Sequence, residues 1–217
     1  VTNYVMLLTG QPMHAFDADK IAGGLRVHNA TEGQEFETLD HTKRTLRATD
    51  VVISDDAGIQ SLAGVMGGTT SEISDETTNV YFEAATWDEL TVAKTARHHK
   101  LSSEASRRFE RGVDPAIVEV SLDIACALLV QCAGGKVTAS RTLVGEVPAR
   151  EVIEMRVSRP SELIGVDYSR DTVVKRLEEV GCQIAGDDEH LQVTPPTWRS
   201  DLTVPVELVE ELSLIHI

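Results

Sequence analysis

The chain has 217 residues, 41% of them hydrophobic and 25% charged, which leaves room for one large or two small domains and excludes disorder along the whole length. Asp and Glu number 35 against 20 Lys and Arg, and the net charge of −15 is a poor overall balance for a nucleic-acid binder. No apolar run approaches the length of a membrane span, and Val1-Thr2-Asn3-Tyr4 has neither a basic start nor a signal-type apolar core, so a soluble chain without a membrane partner is expected.

In chain order, the first feature is Gly10-Gln11-Pro12-Met13-His14-Ala15-Phe16-Asp17, where glycine and proline predict a shaped turn. Val51-Val52-Ile53-Ser54 reads as a strand ended by the turn Asp55-Asp56-Ala57-Gly58. Ile59 to Ala63 reads as a second strand, running into Gly64-Val65-Met66-Gly67-Gly68. Asn79 to Ala84 reads as a third, β-branched and aromatic. From Thr91 to Gly112 the acidic average is locally reversed: Lys94, Arg97, Lys100, Arg107, Arg108 and Arg111, with His98 and His99, face only Glu104 and Glu110. A polyanion, if one binds, would bind here, although on composition alone a solvated basic loop and helix is the better reading. Asp114 and Pro115 open a long helix whose apolar residues recur at helical spacing, and Gly134-Gly135 stop it.

The three cysteines, Cys126, Cys132 and Cys182, are odd in number and lack C-x-x-C spacing, which argues against a disulfide framework and a zinc knuckle. A reducing cytoplasm is the natural compartment. Cys126 and Cys132, set among Ala and Leu, are expected to be buried structural thiols.

A linker around residues 145–150 precedes a second unit. Val152–Val157 reads as a strand, Pro160–Gly165 as a helical turn, and Asp171–Val180 as a helix ended by Gly181. Cys182-Gln183-Ile184 and Leu191–Thr194 pair as a hairpin, and Val206–Leu212 closes as a helix. Of the net charge, −8 falls on residues 151–217, from 14 acids and 6 bases, which leaves −7 for the first 150. The expected class is α+β: a mixed-sheet domain over residues 1–147, then a small α/β domain over 148–212.

Three features of the first domain form a site if the fold gathers them. His14 can act as a general base or position a water, though a loop histidine is more often solvated. Glu83 lies in an apolar strand and by alternation shares a face with Tyr81, so it is either solvated or holds a specific partner. Gly64 to Gly68 let a ligand approach backbone amides, or simply make a tight bend. The motif Gly-x-Ser-x-Gly is missing, so hydrolysis here would use a positioned water and no covalent nucleophile. In the second domain Asp201, Glu207, Glu210 and Glu211 stand close in sequence, and Glu207 and Glu211 share a helix face. They form either a cation site or a solvated acidic face.

Val1-Thr2-Asn3-Tyr4-Val5, Gly10–Asp17, Ala63–Gly68 and Phe109-Glu110-Arg111-Gly112-Val113-Asp114-Pro115 resemble the editing region of the bacterial phenylalanyl-tRNA synthetase β subunit. Pro196-Thr197-Trp198-Arg199-Ser200-Asp201 and Leu208-Val209-Glu210-Glu211 resemble the small domain that follows it. The resemblance implies a chain that begins inside the editing domain. It also departs from the family after Glu211, so that 213–217 read as a non-native tail.

For function, the resemblance implies hydrolysis of tyrosine mischarged on phenylalanine tRNA, with a non-catalytic tRNA-binding or assembly module as the alternative. His14 would orient the water and Glu83 would accept the tyrosine hydroxyl. Thr2, Asn3, Gly64, Gly67, Ser103 and Ala105 would bind substrate, the last two keeping the wall small. Lys94, Arg97, Lys100, Arg107, Arg108 and Arg111 would meet the 3′ end of the tRNA. Editing needs no cofactor. In the whole α2β2 enzyme, which also uses ATP, the resemblance places Mg2+ at Asp201, Glu207, Glu210 and Glu211 near the α subunit; for this chain alone it is expected to be weak or absent, with those carboxylates exposed.

Overall fold

A computed structural model describes residues 1–138 and 141–213. It divides into two compact units, Val1–Leu143 and Val144–Ile217, a boundary a few residues before the expected 147. Of the tail expected at 213–217, Ser213 closes the last helix and 214–217 lie outside the described residues.

The first unit runs α1 (Thr2–Thr9), β1 (Met13–Asp17), β2 (Arg26–Asn29), β3 (Glu35–Glu37), β4 (Lys43–Thr45), β5 (Val51–Ser54), β6 (Ile59–Leu62), β7 (Met66–Gly67), β8 (Val80–Ala84), α2 (Glu89–His98), α3 (Glu104–Phe109) and α4 (Val118–Ala133). The strands form a four-stranded sheet in the order β2-β5-β6-β7, a β3–β4 hairpin and a β1–β8 ladder. The α+β class holds. Every ladder among the described residues is antiparallel, where a mixed sheet was expected: short turns join β3 to β4, β5 to β6 and β6 to β7, while β1–β8 and β2–β5 pair strands distant in the chain.

Gly10 and Pro12 do not keep His14 in a turn. Gly10 ends α1 in the left-handed conformation, and the chain then extends into β1, so His14 is a strand residue. Gln11, fully buried, donates from Nε2 to the carbonyls of Pro12 and Ala85, both at 2.9 Å, and so ties the start of β1 to the end of β8.

The main core gathers Phe36, Leu46, Val52, Leu62, Val65, Val92, Leu101 and Phe109. It therefore joins the β-sheet to α2 and α3. Asp88 caps α2 by accepting from Thr91 N, and Ser103 caps α3 by accepting from Ser106 N. Asp114 caps a 3-10 turn, Pro115–Ile117, from which α4 continues.

α4 departs from expectation. With the preceding turn it spans 19 residues, Pro115–Ala133, long and apolar enough by length and composition to cross a membrane. It packs on α1 and β8 and buries only Ser121 and Ala125 fully, while Val120 and Val130 are exposed. Glu119 and Asp123 on its flank pair with Arg141. Cys132 is exposed and Cys126 half-buried, so neither is the fully buried thiol expected; Cys132 lies in the last turn of α4.

The second unit runs β9 (Ile153–Arg156), α5 (Arg159–Ile164), α6 (Arg170–Glu179), β10 (Gln183–Gly186), β11 (His190–Thr194) and α7 (Pro205–Ser213). Its antiparallel sheet has the order β10-β11-β9. Leu177, Leu191, Val193 and Leu208 are fully buried in its core. α6 starts with Ser169, whose side chain accepts from Thr172 N.

Candidate functional site

A cleft opens in the first unit, lined by His14, Glu83, Gly64, Gly67 and Ala105, with Met13, Ser61, Met66, Trp87 and Phe109 among the remaining walls. Register places its two titratable groups side by side: β1 and β8 pair antiparallel with His14 opposite Glu83. Directly opposed residues share one face of a ladder, with Cβ atoms roughly 5 Å apart. Alternation puts Glu83 on the face of Tyr81, as expected, but Tyr81 is exposed whereas Glu83 turns into the cleft.

Burial moves both groups. It lowers His14 to about 4, so the imidazole is neutral near pH 7. It raises Glu83 to about 7, so its carboxyl changes charge in the physiological range. Among the described residues no ion pair or hydrogen bond contributes to either shift. His14 stacks edge-on against Phe16 with ring centroids 4.5 Å apart, which fixes the imidazole plane.

Two glycines have packing reasons for being glycine. A Cβ on Gly67 would stand 2.3 Å from His14 Cε1, so the imidazole lies across the bare backbone there. Gly64 has φ +69°, and a Cβ on it would meet Trp87 Cδ1 at 2.8 Å and Val92 Cγ2 at 3.0 Å.

Ser103 is not a lining residue. Its hydroxyl donates to Val65 O at 2.8 Å and accepts from Ser106 N at 3.0 Å, which fastens the start of α3 to the bend after β6. Ala105, two residues on, faces the cleft. Thr2 and Asn3 do not line it either. They form the first turn of α1, whose Val5 and Met6 point to the interior, leaving Asn3 exposed. Trp87, Ser61, Met66 and Phe109 were not anticipated. Trp87 follows a strand and precedes an Asp cap, a position whose sequence says nothing of the direction of its indole.

The basic stretch lies on α2, α3 and their connection. Lys94, Arg97, Lys100, Arg107 and Arg111 are exposed, and Arg108 is half-buried and pairs with Glu104 at 3.1 Å. The second of these helices, α3, supplies Ala105 and Phe109 to the cleft. His98 and His99 touch edge to face with ring centroids 4.6 Å apart, where α2 ends between them.

In the second unit the four carboxylates do not converge on a cation. Arg199 stands between two of them, with Nε 2.8 Å from Asp201 Oδ1 and Nη2 bonded to both Asp201 and Glu211. Glu207 caps its own helix, its Oε2 accepting from Val204 N at 2.9 Å and from Thr203 N. Glu211 is mostly buried, at 17% side-chain exposure, against the expectation of an exposed group. Among the described residues no group of three or more His, Cys, Asp or Glu is disposed to hold a metal. The donor set as folded does not fit a magnesium ion, since a guanidinium already neutralises it.

Residues 1–134 match the B3/4 domain family and residues 153–216 the tRNA synthetase B5 domain family. The chain is 72% identical over 212 residues to the phenylalanine–tRNA ligase β subunit of Corynebacterium glutamicum, covering 98% of this chain and 25% of that protein. It is 51% identical to the same subunit of Nocardia farcinica and 46% identical to that of Mycolicibacterium paratuberculosis, covering 98% of this chain and 26% of each relative. The chain thus spans about a quarter of the length of the curated relatives it matches. With a B3/4 domain holding the cleft and a B5 domain following it, the chain belongs to the family of bacterial phenylalanyl-tRNA synthetase β subunits.

Proposed function

We propose that the cleft of the first unit hydrolyses the ester linking tyrosine, mischarged by the synthetase, to phenylalanine tRNA. The observation that carries this reading is the cross-strand pairing of His14 with Glu83 inside one cleft, each moved off its ordinary pKa by burial.

The chemistry follows from the two groups. Tyrosine differs from phenylalanine by one hydroxyl, and a hydrophobic pocket cannot strongly reject an isostere that only adds it. A site built to bond the hydroxyl can reject the analogue that lacks it. Glu83 accepts the phenol O–H; with phenylalanine in its place the carboxyl is left desolvated and unpaired, at a cost of roughly 1–3 kcal/mol. Neutral His14 accepts a hydrogen bond from a water and aims its oxygen at the ester carbonyl. A pKa of about 4 makes the imidazole a weak base, so its contribution is orientation. The water oxygen bonds to the carbonyl carbon, the ribose oxygen leaves with a proton, and free tyrosine and tRNA result. Exposed Lys94, Arg97, Lys100, Arg107 and Arg111, with Arg108, offer phosphate contacts on α3, which lines the cleft, and on the α2 segment that precedes it.

Aminoacylation with ATP and magnesium, assembly with an α subunit as α2β2, and a cytoplasmic setting belong to the same reading of the whole protein. The test is deacylation of tyrosyl- and phenylalanyl-tRNA side by side, by this chain and by a whole synthetase containing it. Preferential release of tyrosine is expected. Equal or absent release by the whole synthetase overturns the assignment. A module that binds tRNA without hydrolysing either ester would then be the remaining reading.

A further inference from the structure

Arg44 lies outside the cleft, yet it touches what holds two of its walls. Its side chain is 10% exposed and its guanidinium makes three hydrogen bonds in three directions. Nε donates to Thr38 Oγ1 at 2.8 Å, Nη2 to Asp40 Oδ2 at 2.6 Å, and Nη1 to the carbonyl of His99 at 2.7 Å.

The first two arms lead to one wall. Thr38 is fully buried and bridges to Gly68, while Leu39 N donates to Gly67 O at 3.0 Å. The loop that Arg44 holds is therefore bonded to the backbone on which His14 rests. The third arm leads to the opposite wall. His99 caps α2, Lys100 follows at φ +53°, and the chain then enters α3 with Ala105. From the far side His99 is held by its own ring: Nε2 lies 2.8 Å from Asp50 Oδ2, and Thr95 Oγ1 donates to Asp50 Oδ1 at 2.9 Å, all three residues being buried.

We propose that Arg44 is a positioning residue that sets the spacing between the Gly67 floor and the α3 wall, and with it the fit of the aminoacyl group between His14 and Ala105. The proposal rests on the reading of the cleft as an ester-hydrolysing site. The reason for arginine is geometric. A planar fork can bond a hydroxyl, a carboxylate and a carbonyl at once along fixed directions, which a lysine ammonium cannot. Displacing one wall by a fraction of an ångström costs rate and selectivity, because the water and the carbonyl must meet in near-attack geometry.

The experiment uses the whole synthetase carrying Arg44→Gln or Arg44→Lys. Deacylation of tyrosyl- and phenylalanyl-tRNA, aminoacylation, and amide exchange over 64–68 and 99–106 are measured together. Expected are a fall in deacylation kcat of about tenfold or more, a smaller change in KM, reduced tyrosyl preference, and unchanged aminoacylation. Lysine is expected not to restore the rate. Amide exchange should quicken in both segments, since one side chain ties them. Wild-type kcat and preference in Arg44→Gln overturn the proposal, as does faster exchange confined to residues 35–45. If the unmodified synthetase fails to deacylate, the assigned reaction falls, and the exchange pattern alone decides whether Arg44 couples the walls. If Arg44→Gln does not fold, Thr38→Val removes one arm at nearly constant volume. The same pattern at smaller amplitude then supports the brace, and its absence overturns it.

Discussion

His14 and Glu83 occupy opposite positions of a single two-stranded ladder, and the imidazole of His14 lies over the bare backbone of Gly67. One group is neutral and the other poised near neutrality, through burial alone. In the proposed reaction these two groups take separate tasks, water orientation and hydroxyl recognition.

Glu83→Ala removes the acceptor for the phenol and leaves the water-handling face intact. The ratio of kcat/KM for tyrosyl over phenylalanyl ester is expected to fall by about 10- to 100-fold, with phenylalanyl release unchanged or faster. Single-turnover deacylation with both esters measures it. Full tyrosyl preference in this variant excludes Glu83 as the selector.

The two shifted groups also govern stability against pH, with opposite signs. Glu83 is raised from 4.5 to about 7, so the folded state binds the extra proton in that window and stability falls as pH rises through it. His14 is lowered from 6.5 to about 4, so the unfolded state binds the extra proton and stability rises with pH over that range. The contributions oppose each other where the windows overlap. Glu83→Gln should expose the rise, and His14→Asn the fall. Thermal melts at half-unit pH steps decide; the same slope in both variants contradicts the assignment.

The charge on Glu83 should also set selectivity. A carboxylate is the stronger acceptor for a phenol, so tyrosyl preference is expected to increase as pH passes upward through about 7. Glu83→Gln, which does not titrate, should flatten that profile. A pH-independent preference in the unmodified protein refutes the link.

Gly67→Ala drives a methyl group into the space of His14 Cε1. Overpacking of this kind costs roughly 1–3 kcal/mol. A lower melting temperature and a lower deacylation kcat are expected. His14→Ala empties the same space, so the double variant should melt higher than Gly67→Ala alone. Simple additivity in that cycle shows that the two residues do not meet.

In the second unit, Arg199→Gln leaves Glu211 and Asp201 without their shared cation. The pair with Asp201 is well exposed and screened, so a loss near 1 kcal/mol is expected overall. Arg199 holds the Asp201 carboxyl below its ordinary range, so this stabilisation is present above that range and vanishes as acid protonates the group. Urea melts near neutrality and in acid measure the difference. Magnesium titration of the unmodified chain should show no stoichiometric heat; tight binding would mean that the carboxylates rearrange around the ion.

Local sequence sufficed wherever local bonds decide the structure. Asp114-Pro115 and Gly134 bound the long helix because a cap, a fixed φ and a left-handed residue act within a turn. The β5 and β6 strands, the hairpin of the second unit and its closing helix were legible for the same reason. His14, Glu83 and the Gly64–Gly68 run stood out by residue type and Ala105 by the family resemblance alone; that His14, Glu83, Gly64, Gly67 and Ala105 line one cleft is a matter of the fold. Only the tertiary structure decided what depends on partners distant in the chain. β1 is a strand because β8 pairs with it, overriding the turn signal of Gly10 and Pro12. Glu83 points inward because that ladder folds over the β6–β7 bend, and Arg199 fills the acidic cluster because a loop and a helix meet there. Register and long-range contact arise from packing between segments, and no window of neighbouring residues carries them.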